Sequence, residues 1–152
     1  MKNFYQRGIG IIEILIVIAV LGLLVAIVVP QFSKMRENQA LKNAVGEVLS
    51  SIDKARAQTL SSLNSFSYGV RFESDKVIIF KSTAFNPNAT DNETINIVAP
   101  ASISTIALSG GGSDIYFNRL SGIPSKTGNI TISTPNYFKV INISATGIAS
   151  VN

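Results

Sequence analysis

Apolar and polar positions follow three different rules along this chain. From Ile9 to Val29, 21 consecutive positions are apolar except for one charge, Glu13. A helix of that length crosses the hydrocarbon of a bilayer. From Leu41 the pattern becomes periodic: Leu41, Val45, Val48, Ile52, Ala55 and Thr59 step by four, three, four, three and four, the spacing of one helix face. Lys42, Glu47, Ser50, Lys54 and Gln58 populate the other faces, and Glu47 and Lys54 share one. Ser and Asn accumulate over Ser61–Ser65, where the helix should end. A helix from Ile11 to about Leu63 would be about 80 Å long, its first half suited to lipid and its second to packing under a globular head.

Beyond Ser65 the rule becomes short runs punctuated by Gly, Pro and Asn. Phe66 to Glu73 and Lys76 to Lys81 flank Ser74-Asp75 and read as a hairpin. Asn86 to Asn92 is a loop by composition. Thr94 to Val98 and Ser102 to Leu108 read as strands around Pro100. Asp114 to Asn118, Asn129 to Ser133, Tyr137 to Ser144 and Gly147 to Val151 follow the flexible Gly110-Gly111-Gly112 turn. Many short strands so punctuated imply antiparallel sheets. The fold class is α+β: one long N-terminal helix, its first half transmembrane, packed against a small antiparallel β-rich head.

Pro30 disturbs the helix, because it donates no hydrogen bond and crowds the carbonyl of Ala26. Gly22 weakens the same stretch by up to about 1 kcal/mol relative to Ala. Both residues are common in membrane helices.

Composition narrows the chemistry. The 152 residues suit one domain, and the chain has neither Cys nor His. That removes disulfides, thiolate metal sites, and the usual general base and metal ligand together. No catalytic residues, metal site or cofactor are expected. Lys2 and Arg7 precede the apolar run, which leaves 11 basic against 9 acidic residues after it begins. That balance is too slight for a nucleic-acid surface.

Glu13 is the anomaly. A carboxylate in an apolar span costs roughly 2.5–3.5 kcal/mol near its centre, less near its end, and calls for a partner. Cutting the chain between Gly8 and Ile9 would supply one, an ammonium on Ile9 four residues before Glu13. An ordinary secretory signal has a shorter core followed by a small-x-small site, which Val28-Val29-Pro30-Gln31-Phe32 lacks. A plain single-pass anchor, its N-terminus held in the cytoplasm by Lys2 and Arg7, leaves Gly8 and Glu13 unexplained.

The leader Met1-Lys2-Asn3-Phe4-Tyr5-Gln6-Arg7-Gly8, the hydrophobic Ile9, Glu13 as the fifth residue after the cut, the long apolar helix and Pro30 together resemble the type IV prepilin signature. Ile9-Gly10 departs from the common Phe-Thr. The resemblance covers roughly the first 32 residues. It implies cleavage by a prepilin peptidase between Gly8 and Ile9, methylation of the Ile9 amine, and assembly through Glu13 and the helix that carries Pro30. It divides the chain into a leader (1–8), a transmembrane or filament-core helix (9–30), an amphipathic continuation (31–64) and a β-rich head (65–152). The partners it implies are the peptidase, other pilins or pseudopilins, an inner-membrane assembly platform and membrane lipid. The location it implies is the cytoplasmic membrane, single-pass with the head outside, and then an extracytoplasmic filament.

A more diffuse resemblance, to minor pilins of the GspH/FimT type, rests on four stretches in order. They are Lys54-Ala55-Arg56-Ala57-Gln58 late in the helix, Tyr68-Gly69-Val70-Arg71-Phe72, Phe117-Asn118-Arg119-Leu120-Ser121-Gly122 read as a middle strand, and Val140 to Val151 with Gly147 between two strands. Some FimT-like proteins are associated with DNA uptake through basic residues near the C-terminus. Here the last basic residue is Lys139, so nucleic acid is not an expected partner. The implied function is a structural subunit, of minor type, in a type IV pilus or a type II secretion pseudopilus. The alternatives are a major subunit or a membrane-anchored extracytoplasmic binding module that never polymerises. Asp91-Asn92-Glu93 lacks calcium-ligand spacing. Gly110 to Ser113 lacks the Lys of a phosphate loop. The sequons beginning at Asn88, Asn92, Asn129 and Asn142 read as an Asn/Thr-rich β surface.

Overall fold

The computed structural model describes residues 10–61 and 63–152. It contains one long helix, α1 (Ile11–Leu60), a single 3-10 turn (Leu63–Ser65), and eight strands. The strands are β1 (Tyr68–Phe72), β2 (Lys76–Lys81), β3 (Glu93–Asn96), β4 (Ser102–Leu108), β5 (Asp114–Tyr116), β6 (Gly128–Ser133), β7 (Phe138–Ile143) and β8 (Ala149–Val151). The α+β class is as expected from the sequence. The chain divides into two units, residues 1–36 and 37–152, so α1 contributes to both.

Within 37–152, Leu41, Val45, Val48, Ile52, Ala55 and Thr59 are all buried, the face that the spacing defined. Glu37, Ala44 and Ser51 join them. The strands form two four-stranded antiparallel sheets, in the orders β3-β2-β1-β5 and β4-β6-β7-β8. One core cluster unites the helix stripe with Val70, Phe72, Val77 and Ile79 of the first sheet and Ile130, Ile132, Ile141 and Ile143 of the second. Complete burial of such side chains contributes about 1.5–3 kcal/mol each relative to exposure.

Sheet faces explain where alternation holds and where it fails. On β6 and β7, Ile130, Ile132, Ile141 and Ile143 are buried while their neighbours are partly or fully exposed, as expected for one covered face. The four central residues of β2, Val77 to Phe80, are all buried. Val77 and Ile79 face the main core. Phe80 packs edge-on against Phe85 at 5.5 Å between ring centroids, so the segment after β2 covers the second face.

Helix and sheet meet at a buried hydroxyl. Thr59 Oγ1 donates to Ala55 O at 2.9 Å and accepts from Tyr68 N at 2.9 Å. It thereby joins the last turn of α1 to the first residue of β1. Between them Asn64 and Ser65 take left-handed backbone angles, which stops the helix where Ser and Asn accumulate.

One expected strand is absent. Phe117 to Gly122 is not a strand; Phe117 forms an isolated bridge with Pro124 and a turn follows. Gly122 N donates to Asn118 O at 2.9 Å, and Asn118 N to Ile123 O at 2.8 Å. Leu120 (φ 66°) and Gly122 (φ 63°) are left-handed, which a strand does not permit.

Candidate functional site

Gly8 and Ile9, the expected cleavage and methylation positions, lie outside the described residues, as does the rest of the leader. The remaining candidates lie on the first part of α1. Gly10 precedes the helix and its carbonyl accepts from Glu13 N at 3.0 Å. Glu13 therefore sits in the first turn. There the helix dipole favours a negative charge, typically by about 0.3–1 kcal/mol at an exposed site. Its side chain is exposed and has no ion pair among the described residues.

Around and beyond Glu13 the apolar side chains are open on every side. Residues 10–36 are all exposed, including Ile14, Leu15, Ile18, Leu21, Leu24, Ile27, Val28 and Phe32. Helical backbone continues through Pro30. The segment is long and apolar enough to cross a membrane. An apolar surface of this extent requires a covering of lipid or other apolar helices.

The second resemblance brought out residues that the structure places together in the head. Arg56 Nε donates to Gly122 O at 3.3 Å, and a terminal nitrogen of the same guanidinium donates to Thr146 O at 3.3 Å. A Cβ on Gly147 would lie 2.3 Å from Gly122 O and 2.9 Å from Arg56 Nε. With φ at 82° and 63°, both glycines are also left-handed. The late-helix Arg and the two glycines thus form one clamp, holding two surface turns on the end of α1.

Other polar groups are committed to the fold. Lys54 Nζ bonds both carboxylate oxygens of Glu93, at 2.5 and 2.7 Å, and is not paired with Glu47. Glu93 is thereby engaged, and no cluster of three or more potential metal-ligating side chains occurs among the described residues. Asn142 Nδ2 donates to Asn129 Oδ1 across β6 and β7 at 2.8 Å. These sequon residues form a polar ladder on the exposed sheet surface. Gly110 to Gly112 is a turn, with Lys126 Nζ on the Gly111 carbonyl at 2.9 Å.

Arg71 is an electrostatic hub, 3.0 Å from Glu73 and 3.9 Å from Asp114. Its guanidinium also stands over the Phe85 ring at 4.7 Å. The hydrogen bond from Arg71 holds the Glu73 carboxyl below its ordinary range; partial burial opposes this, and Lys76 at 3.4 Å reinforces it.

Sequence reading missed Glu37. Its buried carboxylate accepts from Asn136 N at 3.2 Å and from Asn136 Nδ2 at 3.1 and 2.9 Å. A charge at a position continuing the buried stripe, four residues before Leu41, was the available signal. Comparisons with protein-family models, with curated proteins and with solved structures find no match.

Proposed function

We propose that this protein is a type IV pilin-like structural subunit, of minor type, that is cut between Gly8 and Ile9 and assembles through its N-terminal helix into a pilus or secretion pseudopilus. The observation that carries this reading is the wholly exposed apolar segment with one carboxylate, Glu13, placed five residues after Gly8. Before assembly the segment resides in the cytoplasmic membrane with the head outside. In a filament it packs among like helices, and the ammonium on Ile9 neutralises Glu13 of its own or a neighbouring chain. Prepilin peptidase, partner pilins and an inner-membrane platform are the implied partners. The protein works by assembly and not by catalysis.

Two variants test this. Gly8→Val denies the peptidase the close backbone approach that Gly allows. The full-length chain should then accumulate, whereas wild type should yield a mature chain whose mass begins at Ile9. Normal maturation of the variant removes the peptidase assignment. Glu13→Gln should still be cut but should not co-fractionate with sheared filaments. Removing one partner of a buried pair typically costs about 3–5 kcal/mol. Normal incorporation of Glu13→Gln would show that Glu13 is not the counter-charge. A wild-type chain that is never shortened would favour a non-polymerising anchored module.

A further inference from the structure

N-x-S/T sequons begin at Asn88, Asn92, Asn129 and Asn142, and the fold presents them very differently. Asn129 and Asn142 stand opposite each other in the register of β6 and β7, with Asn142 Nδ2 donating to Asn129 Oδ1. Each of these strands is paired on both sides, β6 by β4 and β7, and β7 by β6 and β8. The hydroxyl of Ser144, which completes the Asn142 sequon, bonds the Thr146 hydroxyl and accepts from Ile148 N. Asn92 is half-buried: its Nδ2 donates to Asn86 O at 2.8 Å, its Oδ1 is buried, and Thr94 of its sequon belongs to β3.

Asn88 differs on each count. It lies in the connection between β2 and β3, off both sheets. Ala89 N donates to Asn86 O at 3.2 Å, closing a β-turn with Pro87 at its second position and Asn88 at its third. The Asn86 side chain steadies the turn by accepting from Asn88 N at 3.0 Å, and the Asn92 bond to Asn86 O staples its base. Asn88 and Thr90 are both exposed, and neither side chain makes a hydrogen bond among the described residues. The backbone is held while the carboxamide and the hydroxyl two residues on stay free.

We propose that Asn88 is the site at which this head accepts an N-linked oligosaccharide from a polyprenyl-diphosphate carrier. The inference rests on the reading that places the head outside the membrane. In the transfer, Asn88 Nδ2 attacks the anomeric carbon of the carrier-bound sugar. The new carbon–nitrogen bond forms as the carbon–oxygen bond to the diphosphate breaks, the polyprenyl diphosphate leaves with the bonding pair, and one Nδ2 proton passes to a base of the transferase. The enzyme has to gather the carboxamide and the Thr90 hydroxyl into one active site. An exposed turn allows this with both ladders intact, whereas a strand paired on both sides would have to leave its sheet. Surface loops are where such a glycan is tolerated.

The test begins with protein purified from the cells that make it. Cleavage before Asp75 and Asp91 isolates residues 75–90, in which Asn88 is the single sequon asparagine. That peptide should carry the mass of an oligosaccharide in wild type, lose it in Asn88→Gln and in Thr90→Ala, and keep it in Thr90→Ser. An unmodified wild-type peptide overturns the proposal, as does modification at Asn92, Asn129 or Asn142 in its place. A mass that survives Asn88→Gln would put the sugar on a hydroxyl and also overturn it. Orientation is read separately. The chain has no Cys, so Leu120→Cys, at an 83% exposed position, offers one thiol to a membrane-impermeant maleimide. Labelling with the cytoplasmic membrane intact, together with an unmodified Asn88, removes the glycan site and leaves the head outside. Labelling only after the membrane is opened removes the outside placement, and the proposal with it.

Discussion

Two stretches of one helix use similar residues to opposite ends. Between Ile11 and Val29, Ile, Leu and Val occupy every face and are all exposed. Between Glu37 and Leu60, most apolar residues gather on one stripe that is buried under two sheets, Leu60 at its end being exposed. The same side chain, Ile, is open at 14, 16, 18 and 27 and sealed at 52, 130, 132 and 141. Angular distribution, more than apolar content, separates them. A stripe can be satisfied by the protein's own sheets, whereas a cylinder apolar all round needs a medium or partners on every side.

Removing the cylinder should have the largest effect. A fragment beginning near Met35 should be soluble without detergent, monomeric by size exclusion and β-rich by circular dichroism, because the core lies within 37–152. A disordered fragment would show that the head depends on the segment removed. Core substitution sharpens the contrast. Phe117→Ala should lower head stability by about 3–5 kcal/mol in denaturant unfolding, since Phe117 is completely buried. Ile18→Ala, at an exposed position, should leave the same transition within about 0.5 kcal/mol. Comparable losses from both would erase the distinction between the two stretches.

The clamp comes next. Gly147→Ala should cost about 1–3 kcal/mol through left-handed strain and collision with Gly122 O and Arg56. Combined with Arg56→Ala, the two losses should not add, with a coupling of about 0.5 kcal/mol or more in a double-mutant cycle. Strict additivity would show that the contact carries no weight. The smallest effect concerns Glu73. Its carboxyl is held low in the folded state, so its contribution is present above the unfolded carboxylate range and fades as pH falls through the folded value. Glu73→Gln should flatten that part of the acid-side stability profile and change little between pH 6 and 8 (roughly two units above the ordinary carboxylate range). A profile identical to wild type at low pH would deny the Arg71–Glu73 bond its role.

Sequence legibility followed the range of the interactions. The buried face from Leu41 to Thr59 was readable because helix periodicity is local. The hairpin at Ser74-Asp75 and the bounds of β4 were readable from turn residues and an uninterrupted β-prone run. Glu37 was not, because its partner Asn136 is 99 residues away. Lys54 was placed on a face with Glu47, yet its partner Glu93 comes from β3. The error over Phe117 to Gly122 had a local remedy, since Asn118, Ser121 and Gly122 are turn formers. Of the candidate site, the residue types and their spacing were legible. The bond between Gly8 and Ile9 lies outside the described residues, and Glu13 is exposed with no ion pair among the described residues.

The Arg56 clamp also sets a timetable. Its acceptors lie 66 and 90 residues downstream, on turns that follow β5 and β7. A chain made from its N-terminus presents α1 long before either turn exists, and contacts of such separation carry a large loop-closure entropy and form late. Thr59 can meet Tyr68 early and Arg56 can meet Gly122 next, but until the turn Ser144 to Gly147 is delivered the clamp lacks its Thr146 acceptor and stays half closed. Closure of the clamp thus reports that synthesis has passed Gly147, and a chain stopped before Ser144 should leave Arg56 and its turn of the helix more accessible to protease than in the full chain.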